Sequence, residues 1–140
     1  MQVGTRTLPI RVESPKAGSS GPFLSDELSW EVVSARSGID LGDLTRKEKT
    51  TTTDRARRVA EFSWTLFRKA CEINSPTDIA LTFVDYFSIE NRVARRIEQL
   101  TRETIHFIEE VERCGGVRVS LISTRFDYRS VIDRRAWKEG

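Results

Sequence analysis

The sequence predicts an α/β fold. Segments of strand and helix character alternate along the chain as strand, helix, strand, helix and strand, which is typical of α/β domains. One strand segment, DIALTFVDYF at residues 78–87, is almost continuously apolar and rich in β-branched and aromatic side chains, as in a strand buried on both faces. The 140 residues, of which 38% are hydrophobic, suffice for one domain with one core.

The N-terminal part of the chain is expected to contain one strand and one short helix. The segment RTLPIRV, residues 6–12, has strand character, although Pro9 cannot donate a ladder hydrogen bond and favours an edge or a bulge. A loop rich in glycine, serine and proline follows at residues 14–22. Apolar residues at helical spacing then predict a helix over residues 26–36, with Gly38 at the position of a C-terminal cap.

The remainder of the chain is expected to alternate between helices and strands. The polar residues 42–58 predict a loop, and the apolar stripe of residues 62–73 predicts a helix. The longest helix is expected over residues 90–113, where apolar residues recur every three or four positions. A short strand follows at residues 117–123, and the mostly polar residues 124–140 form the tail.

Composition excludes some classes of protein. The formal net charge of +2 is too small to identify a nucleic-acid or membrane binder. No apolar run approaches the roughly 20 residues of a membrane span, and the N-terminus lacks a secretory apolar stretch, so a cytoplasmic location is expected. Cys71 and Cys114 are far apart and belong to no CxxC pair, so neither a zinc site nor a disulfide framework is indicated, and both are expected to be buried thiols.

The segment KTTTTDRARRV, residues 49–59 and here called the Thr/Arg loop, combines four threonines with three arginines. Threonine runs are poor helix formers and neighbouring arginines repel one another, so a loop is expected that is either idle or binds an anion. In the idle alternative, its arginines pair with carboxylates elsewhere. Asp85 and the pair Ser123 and Thr124 are expected to close two strands, and ligands of α/β sheets gather at such strand ends. In the alternative interpretation, Asp85 simply caps the helix that follows.

Four segments carry a resemblance to one family. They are TRTLPIRV followed by SGPF, TTTTDRARRV, EINSPTDIALTFVD and FIEEVERCGGVRVSLISTRFD. In this order they resemble the C-terminal portion of the adenylosuccinate synthetase family. The compact spacing between Asp85 and Phe107 is similar to its short forms, including phage relatives that act on a 2-amino purine. The resemblance implies one domain over residues 1–140, part of a P-loop-NTPase-like sheet flanked by helices, without the phosphate loop.

The resemblance implies a ligase of purine biosynthesis. Such an enzyme joins IMP and L-aspartate, with GTP activating the purine 6-oxygen and Mg²⁺ assisting. The residues implied to bind L-aspartate and IMP are Thr51, Thr52, Thr53, Asp54, Arg55 and Arg57. Hydroxyls and guanidinium groups suit this role, because both donate hydrogen bonds to carboxylate and phosphate oxygens. The residues implied to bind the nucleoside triphosphate are Arg57, Phe83, Asp85, Ser123, Thr124 and Arg125, with Asp85 accepting hydrogen bonds from the donor base.

The sequence departs from the family pattern at three places. Asp54 stands where glycine is usual, and its carboxylate repels bound aspartate unless it points away or pairs with an arginine. Phe83 stands where many members have lysine, which leaves ATP open as the donor in place of GTP. Arg125 and Phe126 replace a common Gly-Pro pair. The acceptor is open as well, since IMP and a 2-amino purine nucleotide such as dGMP both fit the resemblance.

The family's phosphate loop, catalytic aspartate and histidine, and Mg²⁺ ligands belong to its N-terminal region. No GxxxxGK motif occurs in this sequence, and the single histidine, His106, is expected to be structural. No catalytic residue or metal ligand is therefore assigned, and the chain alone is expected to be inactive. It is expected to be the tail of a longer enzyme, a truncated reading frame or half of a split enzyme that needs the N-terminal region. A homodimer is a further expectation.

A second hypothesis makes the chain a non-catalytic module that binds nucleic acid or another polyanion through the Thr/Arg loop. Such binding should weaken steeply as salt is added. No aromatic residue lies between the arginines of the loop, although stacking on bases would need one, and this disfavours the hypothesis.

Overall fold

The structure is a computed structural model that describes residues 27–49 and 54–135. It is a mixed α/β arrangement with two small sheets. The elements are β1 (Glu27–Leu28), α1 (Trp30–Ser37), α2 (Leu41–Lys47), β2 (Val59–Ala60), α3 (Trp64–Asn74), β3 (Ile79–Leu81), α4 (Arg102–Gly115), β4 (Val119–Ser123) and β5 (Val131–Asp133). Three short 3-10 segments, Val84–Tyr86, Ile89–Val93 and Ile97–Gln99, lie between β3 and α4. The predicted strand at residues 6–12 and loop at 14–22 lie outside the described residues.

The first predicted helix exists but begins later than expected. Ser29 caps α1, because its hydroxyl accepts a hydrogen bond from the amide of Val32 at 3.4 Å. Gly38 ends α1 in a left-handed conformation with φ of 77°, which confirms the predicted cap. Residues 27 and 28, assigned to the helix from the sequence, instead form β1 and pair antiparallel with β2.

The polar stretch at residues 42–58 is not a continuous loop. The prediction was wrong for residues 42–47, which belong to helix α2. The side chain of Asp40 accepts a hydrogen bond from the amide of Asp43 at 3.1 Å and so caps α2. Only Leu44 of this helix is buried. One buried residue gives no apolar periodicity, so the cap was the only signal of the helix in the sequence.

The central sheet has the order β3-β4-β5. Strands β3 and β4 are parallel, and β4 and β5 are antiparallel. The strand expected at residues 117–123 is confirmed as β4, whereas β5 lies in the tail for which no strand was predicted. Only Ile132 of β5 is buried, and an edge strand this short leaves little apolar pattern in the sequence.

Two predicted elements are shorter than expected. The apolar run at residues 78–87 is a strand only as far as Leu81, because Phe83 adopts φ of 62° and the chain turns there into the 3-10 segment Val84–Tyr86. The helix predicted over residues 90–113 is helical only from Arg102, where Thr101 caps α4. The 3-10 segments before it place apolar side chains inward at spacings similar to those of a helix.

Two hydrophobic cores meet at the turn after β3. The larger core lies between the central sheet and helices α3 and α4, and Val84 is fully buried in it. The smaller core contains Val33, Ile39 and Leu44, with Trp30 and Tyr86 packed against it. Because Val84 and Tyr86 belong to the same turn, that turn joins the two cores. In the described part of the chain, no helix is long and apolar enough to cross a membrane.

Candidate functional site

Asp85 is the most unusual polar residue of the described structure. It lies in the turn after β3, is only 3% exposed, and accepts a hydrogen bond through Oδ2 from Nε of Arg92 at 3.1 Å. Its second oxygen, Oδ1, is buried and has no hydrogen-bond partner within residues 27–49 and 54–135. Burial raises the pKa of this carboxyl group, although the Arg92 guanidinium opposes the shift. A buried acceptor of this kind is suited to a donor supplied by a ligand.

Asn91 holds the turn that carries Asp85. Its side-chain amide is fully buried and donates to the carbonyl of Val84 at 2.8 Å and to the hydroxyl of Thr104 at 2.7 Å. Its carbonyl oxygen accepts from the amide of Thr101 at 2.9 Å. The position of the Asp85 turn is thus fixed from the start of α4, by a network in which each group of Asn91 is paired.

Glu48 and Arg57 close the base of the Thr/Arg loop. The amide of Arg57 donates to the carbonyl of Glu48 at 2.8 Å, and Lys49 and Ala56 form an isolated antiparallel bridge. Nε of Arg57 donates to the carbonyl of Lys49 at 3.1 Å and lies 4.0 Å from the Glu48 carboxylate. The indole of Trp30 donates to the Arg57 carbonyl at 2.8 Å. Both arms of the loop are therefore anchored before its threonines begin.

Tyr86 joins the base of the loop to the Asp85 turn. Its hydroxyl donates to Oε1 of the buried Glu48 carboxylate. Burial and the adjacent carboxylate raise the pKa of Tyr86, so its hydroxyl remains a donor at physiological pH. The ring packs edge-on against Trp30, with centroids 6.0 Å apart, and lies 5.2 Å from the ring of Phe83. Asp85 and Arg57, predicted as site residues, thus belong to one connected region.

The other described residues of the Thr/Arg loop are placed differently. Arg58 makes two hydrogen bonds of 2.7 Å to the carboxylate of Glu27, which lowers the pKa of that carboxyl group. Asp54 has φ of 46°, and its carboxylate lies 3.7 Å from Nζ of Lys49. Arg55 is exposed. Thr51, Thr52 and Thr53 lie outside the described residues.

The predicted residues at the end of β4 are engaged within their own turn. Thr124 is fully buried, and its hydroxyl donates to the carbonyl of Ser130 at 3.2 Å. The Ser123 hydroxyl donates to the carbonyl of Arg125 at 3.0 Å. The Arg125 guanidinium contacts Ser130 at 3.0 Å and Asp127 at 3.2 Å. Because β3 and β4 are parallel, their carboxyl ends lie on the same side of the sheet. This turn and the Asp85 turn therefore both follow strands at that side.

Curated proteins share sequence similarity with most of this chain. The adenylosuccinate synthetase of Methanocaldococcus jannaschii is 34% identical over 130 residues, that of Methanococcus maripaludis strain C6 is 35% identical over 121 residues, and that of Pyrococcus horikoshii is 38% identical over 121 residues. The chain is a homologue of adenylosuccinate synthetase. The alignments cover 93%, 86% and 86% of this chain but 33% of each relative. No protein-family model matches the chain.

This chain therefore spans about a third of the length of the adenylosuccinate synthetases that it matches, consistent with the C-terminal portion to which its motifs point. The resemblance to that family implies Mg²⁺. Within residues 27–49 and 54–135, no group of three or more His, Cys, Asp and Glu side chains could hold a metal ion. The described residues therefore do not fit a Mg²⁺ site. His106 is exposed on α4, 3.5 Å from the carboxylate of Glu109.

Four residues of the region were not identified from the sequence, namely Glu48, Tyr86, Asn91 and Arg92. The sequence pattern predicted one helix over residues 90–113, and on such a helix neither Asn91 nor Arg92 would face Asp85. The roles of these two residues were therefore not predicted. Glu48 and Tyr86 are far apart in sequence, and they meet only because the chain just after α2 contacts the turn after β3 in the folded structure. The two cysteines, expected to be buried, are free thiols that are half-buried, and burial raises the pKa of Cys71.

Proposed function

We propose that the chain is the substrate- and nucleotide-binding part of an adenylosuccinate synthetase-type ligase that joins IMP and L-aspartate at the expense of GTP. Sequence similarity to adenylosuccinate synthetases over 86–93% of the chain supports this proposal. The structural observation that carries it is the buried Oδ1 of Asp85, which has no partner among the described residues.

Asp85 acts in this proposal as the acceptor for the base of the donor nucleotide. Purine bases present N–H groups on their Watson–Crick edge, and a buried carboxylate oxygen accepts from such a group strongly because no water competes for it. A buried acceptor without a donor, as Oδ1 is within the described part of the chain, costs free energy that a bound base would recover. Phe83 directly precedes the turn that carries Asp85, its ring lies 5.2 Å from that of Tyr86, and in this proposal it contributes apolar surface to the base site.

The Thr/Arg loop supplies the second half of the site. Thr51, Thr52 and Thr53 donate hydrogen bonds to the carboxylates of L-aspartate, while Arg55 and Arg57 face the negative charges of aspartate, IMP and the triphosphate. The repulsion expected from Asp54 is reduced, since its carboxylate lies 3.7 Å from the Lys49 ammonium group. Backbone and side-chain atoms of Ser123, Thr124 and Arg125 form the wall of the base site at the end of β4.

In this proposal, the phosphate loop, the catalytic residues and the Mg²⁺ ligands are supplied by a region like the N-terminal region of the family. That region also completes a P-loop-NTPase-like sheet. That region belongs to the same polypeptide or to a partner chain. The 140 residues alone are therefore expected to bind nucleotide weakly and to show no ligase turnover, because nothing assigned here stabilises charge on the transferred phosphoryl group.

A second candidate is a 2-aminoadenylosuccinate synthase that acts on dGMP with ATP as the donor. One observation favours it. Arg92 already donates to Oδ2 of Asp85, so only Oδ1 lacks a donor among the described residues, whereas guanine presents two adjacent donors to a carboxylate. The 6-amino group of adenine needs a single acceptor, and the Arg92 guanidinium is beside it as a donor for the ring nitrogen N1.

Titration of the 140-residue chain with ATP and with GTP, followed by NMR, tests both candidates. We expect dissociation constants on the order of millimolar. The substitution Asp85→Asn should weaken binding about 10-fold or more, because the side chain loses a charged acceptor. Asp133→Asn is the matched control, since Asp133 is exposed on β5 and paired with Arg135.

Equal affinity of the Asp85→Asn variant and the wild-type chain for both nucleotides would contradict the proposed site. The ratio of the two affinities separates the candidates. Binding of GTP about 10-fold tighter than ATP would exclude the second candidate, and the reverse ratio would exclude GTP as the donor of the first.

A further inference from the structure

The turn after β4 presents two aromatic side chains to solvent. Phe126 is 93% exposed and is the most exposed large apolar residue in the described part of the chain, and Tyr128 is 81% exposed. Exposure of an aromatic ring to water is unfavourable, because burial of apolar surface stabilises a protein. Two such rings so close together in sequence are therefore suited to contact with a ligand or a partner.

Hydrogen bonds within the turn hold its backbone in place. The amide of Thr124 donates to the carbonyl of Ser130 at 2.9 Å, and the amide of Ser130 donates to the carbonyl of Asp127 at 2.9 Å. The Asp127 carboxylate accepts from the amide of Arg129 at 2.9 Å and from the Arg125 guanidinium at 3.2 Å. Because the turn is already ordered, presenting the two rings to a ligand costs little conformational entropy.

Exposed arginines lie beside the two rings. The guanidinium carbon of Arg129 lies 5.2 Å from the centroid of the Tyr128 ring, and its Nε donates to the Tyr128 hydroxyl at 2.8 Å. Nη1 of Arg95 donates to the carbonyl of Arg129 at 3.5 Å, which places Arg95 and its neighbour Arg96 next to the turn. All three arginines are exposed. Together with Phe126 and Tyr128 they form what is here called the Arg/aromatic surface.

We propose that the Arg/aromatic surface binds single-stranded nucleic acid. Bases stack on Phe126 and Tyr128, and the guanidinium groups of the three arginines contact the phosphates. This activity goes beyond the proposed ligase function and does not depend on it, because none of these five residues belongs to the nucleotide or substrate site assigned above.

The combination of rings and cations favours a single strand over a duplex. Stacking on an aromatic side chain needs an accessible base face, whereas the bases of a duplex are covered by their neighbours. The Cα atoms of Phe126 and Tyr128 are at most about 7 Å apart, so neighbouring bases of one strand can reach both rings. Arg129 covers part of the Tyr128 ring and leaves the Phe126 ring almost entirely open.

The charges of the surface favour nucleic acid over a protein partner. Aromatic residues and arginines are also frequent in protein interfaces, where they face surfaces of mixed charge. Here the one carboxylate of the turn, that of Asp127, is already bound by Arg125, and three exposed guanidinium groups surround the rings. The segment RFDYR, residues 125–129, thus interleaves aromatic residues with arginines, which the Thr/Arg loop does not.

Binding of a fluorescein-labelled oligothymidylate of about 12 nucleotides to the 140-residue chain, followed by fluorescence anisotropy, tests the proposal. We expect a dissociation constant of about 1–100 µM at low salt. Between about 50 and 200 mM salt, the logarithm of the association constant should fall with the logarithm of the salt concentration at a slope of about −2, because each of three arginines contributes about −0.7. A duplex of the same length should bind about 5-fold more weakly or worse.

Variants of the two rings test the stacking. Phe126→Ala should weaken binding about 5-fold or more, because a base loses its stacking partner. Tyr128→Phe retains the ring and should bind within about 2-fold of the wild-type chain. Ile73→Ala is the matched control, since Ile73 is 59% exposed on α3 and its truncation should leave the affinity unchanged.

Variants of the arginines test the phosphate contacts. Arg129→Gln should make the salt slope less steep by about 0.7, because one phosphate contact is lost. Arg68→Gln is the control, because Arg68 is an exposed arginine on α3, and it should leave the slope unchanged.

The outcomes separate this inference from the proposed function. Asp85→Asn should bind the oligonucleotide as the wild-type chain does, although it weakens binding of ATP and GTP. An equal loss of oligonucleotide affinity in Asp85→Asn would show that the strand occupies the nucleotide site, and the inference would be overturned. Equal affinities of Phe126→Ala and the wild-type chain, or of duplex and single strand, would refute it as well. No binding at low salt would also refute it and would leave a protein partner as the occupant of the surface.

Discussion

At the scale of single residues, the account depends on one buried carboxyl group. Asp85 was predicted as a site residue from its motif, and the structure adds what the motif could not show, namely the Arg92 partner and an Oδ1 that has no partner among the residues the structure describes. Burial of a carboxylate costs free energy unless its oxygens are fully paired. The chain tolerates this cost at a position next to the Thr/Arg loop base, which is typical of a functional site.

The raised pKa of Asp85 has a consequence for stability. The folded chain binds the proton more tightly than the unfolded chain does, so the free energy of unfolding should fall as the pH rises from the ordinary pKa of 3.8 through the folded value. In Asp85→Asn this decline should be absent. Urea unfolding of both proteins at a series of pH values between about 4 and 7 measures the difference.

Asp133→Asn is the control for this pH series. Arg135 lowers the pKa of Asp133 to about 2, so its contribution to stability is present above the ordinary pKa and is lost only as the pH falls toward 2. Between about 4 and 7 the Asp133→Asn curve should therefore run parallel to that of the wild-type chain. A wild-type curve parallel to that of Asp85→Asn over the same interval would show that Asp85 is not destabilised by burial.

At the scale of secondary structure, sequence patterns identified elements with several apolar residues and missed the others. Helix α3 and strand β4 were expected at nearly their observed positions, since each has a clear apolar face. Helix α2 and strand β5 each bury a single side chain, so periodicity could not reveal them. The chain between β3 and α4 was predicted as the end of a strand and the start of a helix. Its 3-10 segments place apolar residues inward at intervals similar to those of a regular helix.

The Asn91 network gives this irregular region its stability. Asn91→Ala should lower the free energy of unfolding by about 3 kcal/mol, because it removes three buried or part-buried hydrogen bonds, to the Val84 carbonyl, the Thr104 hydroxyl and the Thr101 amide. Asn74→Ala is the control, since the amide of Asn74 makes one hydrogen bond at the end of α3 and its loss should cost about 1 kcal/mol or less. Urea unfolding measures both values. Equal losses would show that the network does not hold the Asp85 turn.

At the scale of the whole molecule, two cores meet at the turn that carries Asp85, Tyr86 and Val84. The Thr/Arg loop is anchored on the side of the smaller core, and β4 ends on the side of the larger one. The candidate site therefore lies where the two cores join. The motifs identified the family from the sequence, but this arrangement was not predictable, because the contact between Glu48 and Tyr86 joins side chains 38 residues apart.

The length of the chain also bears on its proposed role. The chain spans about a third of the length of its adenylosuccinate synthetase relatives, and the residues of the proposed site are proposed to bind substrates and not to carry out the chemical step. Arg58 is paired with the carboxylate of Glu27, which disfavours a polyanion-binding surface at this position. The proposed role of the chain is to hold a purine base and L-aspartate for chemistry that other groups complete.

The most direct test of this account is the carbon-13 resonance of the Asp85 side-chain carboxyl group during titration of the wild-type chain with ATP and with GTP. The account predicts that at least one nucleotide shifts this resonance to saturation, while the resonance of the Asp133 carboxyl group stays unchanged. An Asp85 resonance that does not move while other signals report bound nucleotide would contradict the account, because the base would then be recognised elsewhere.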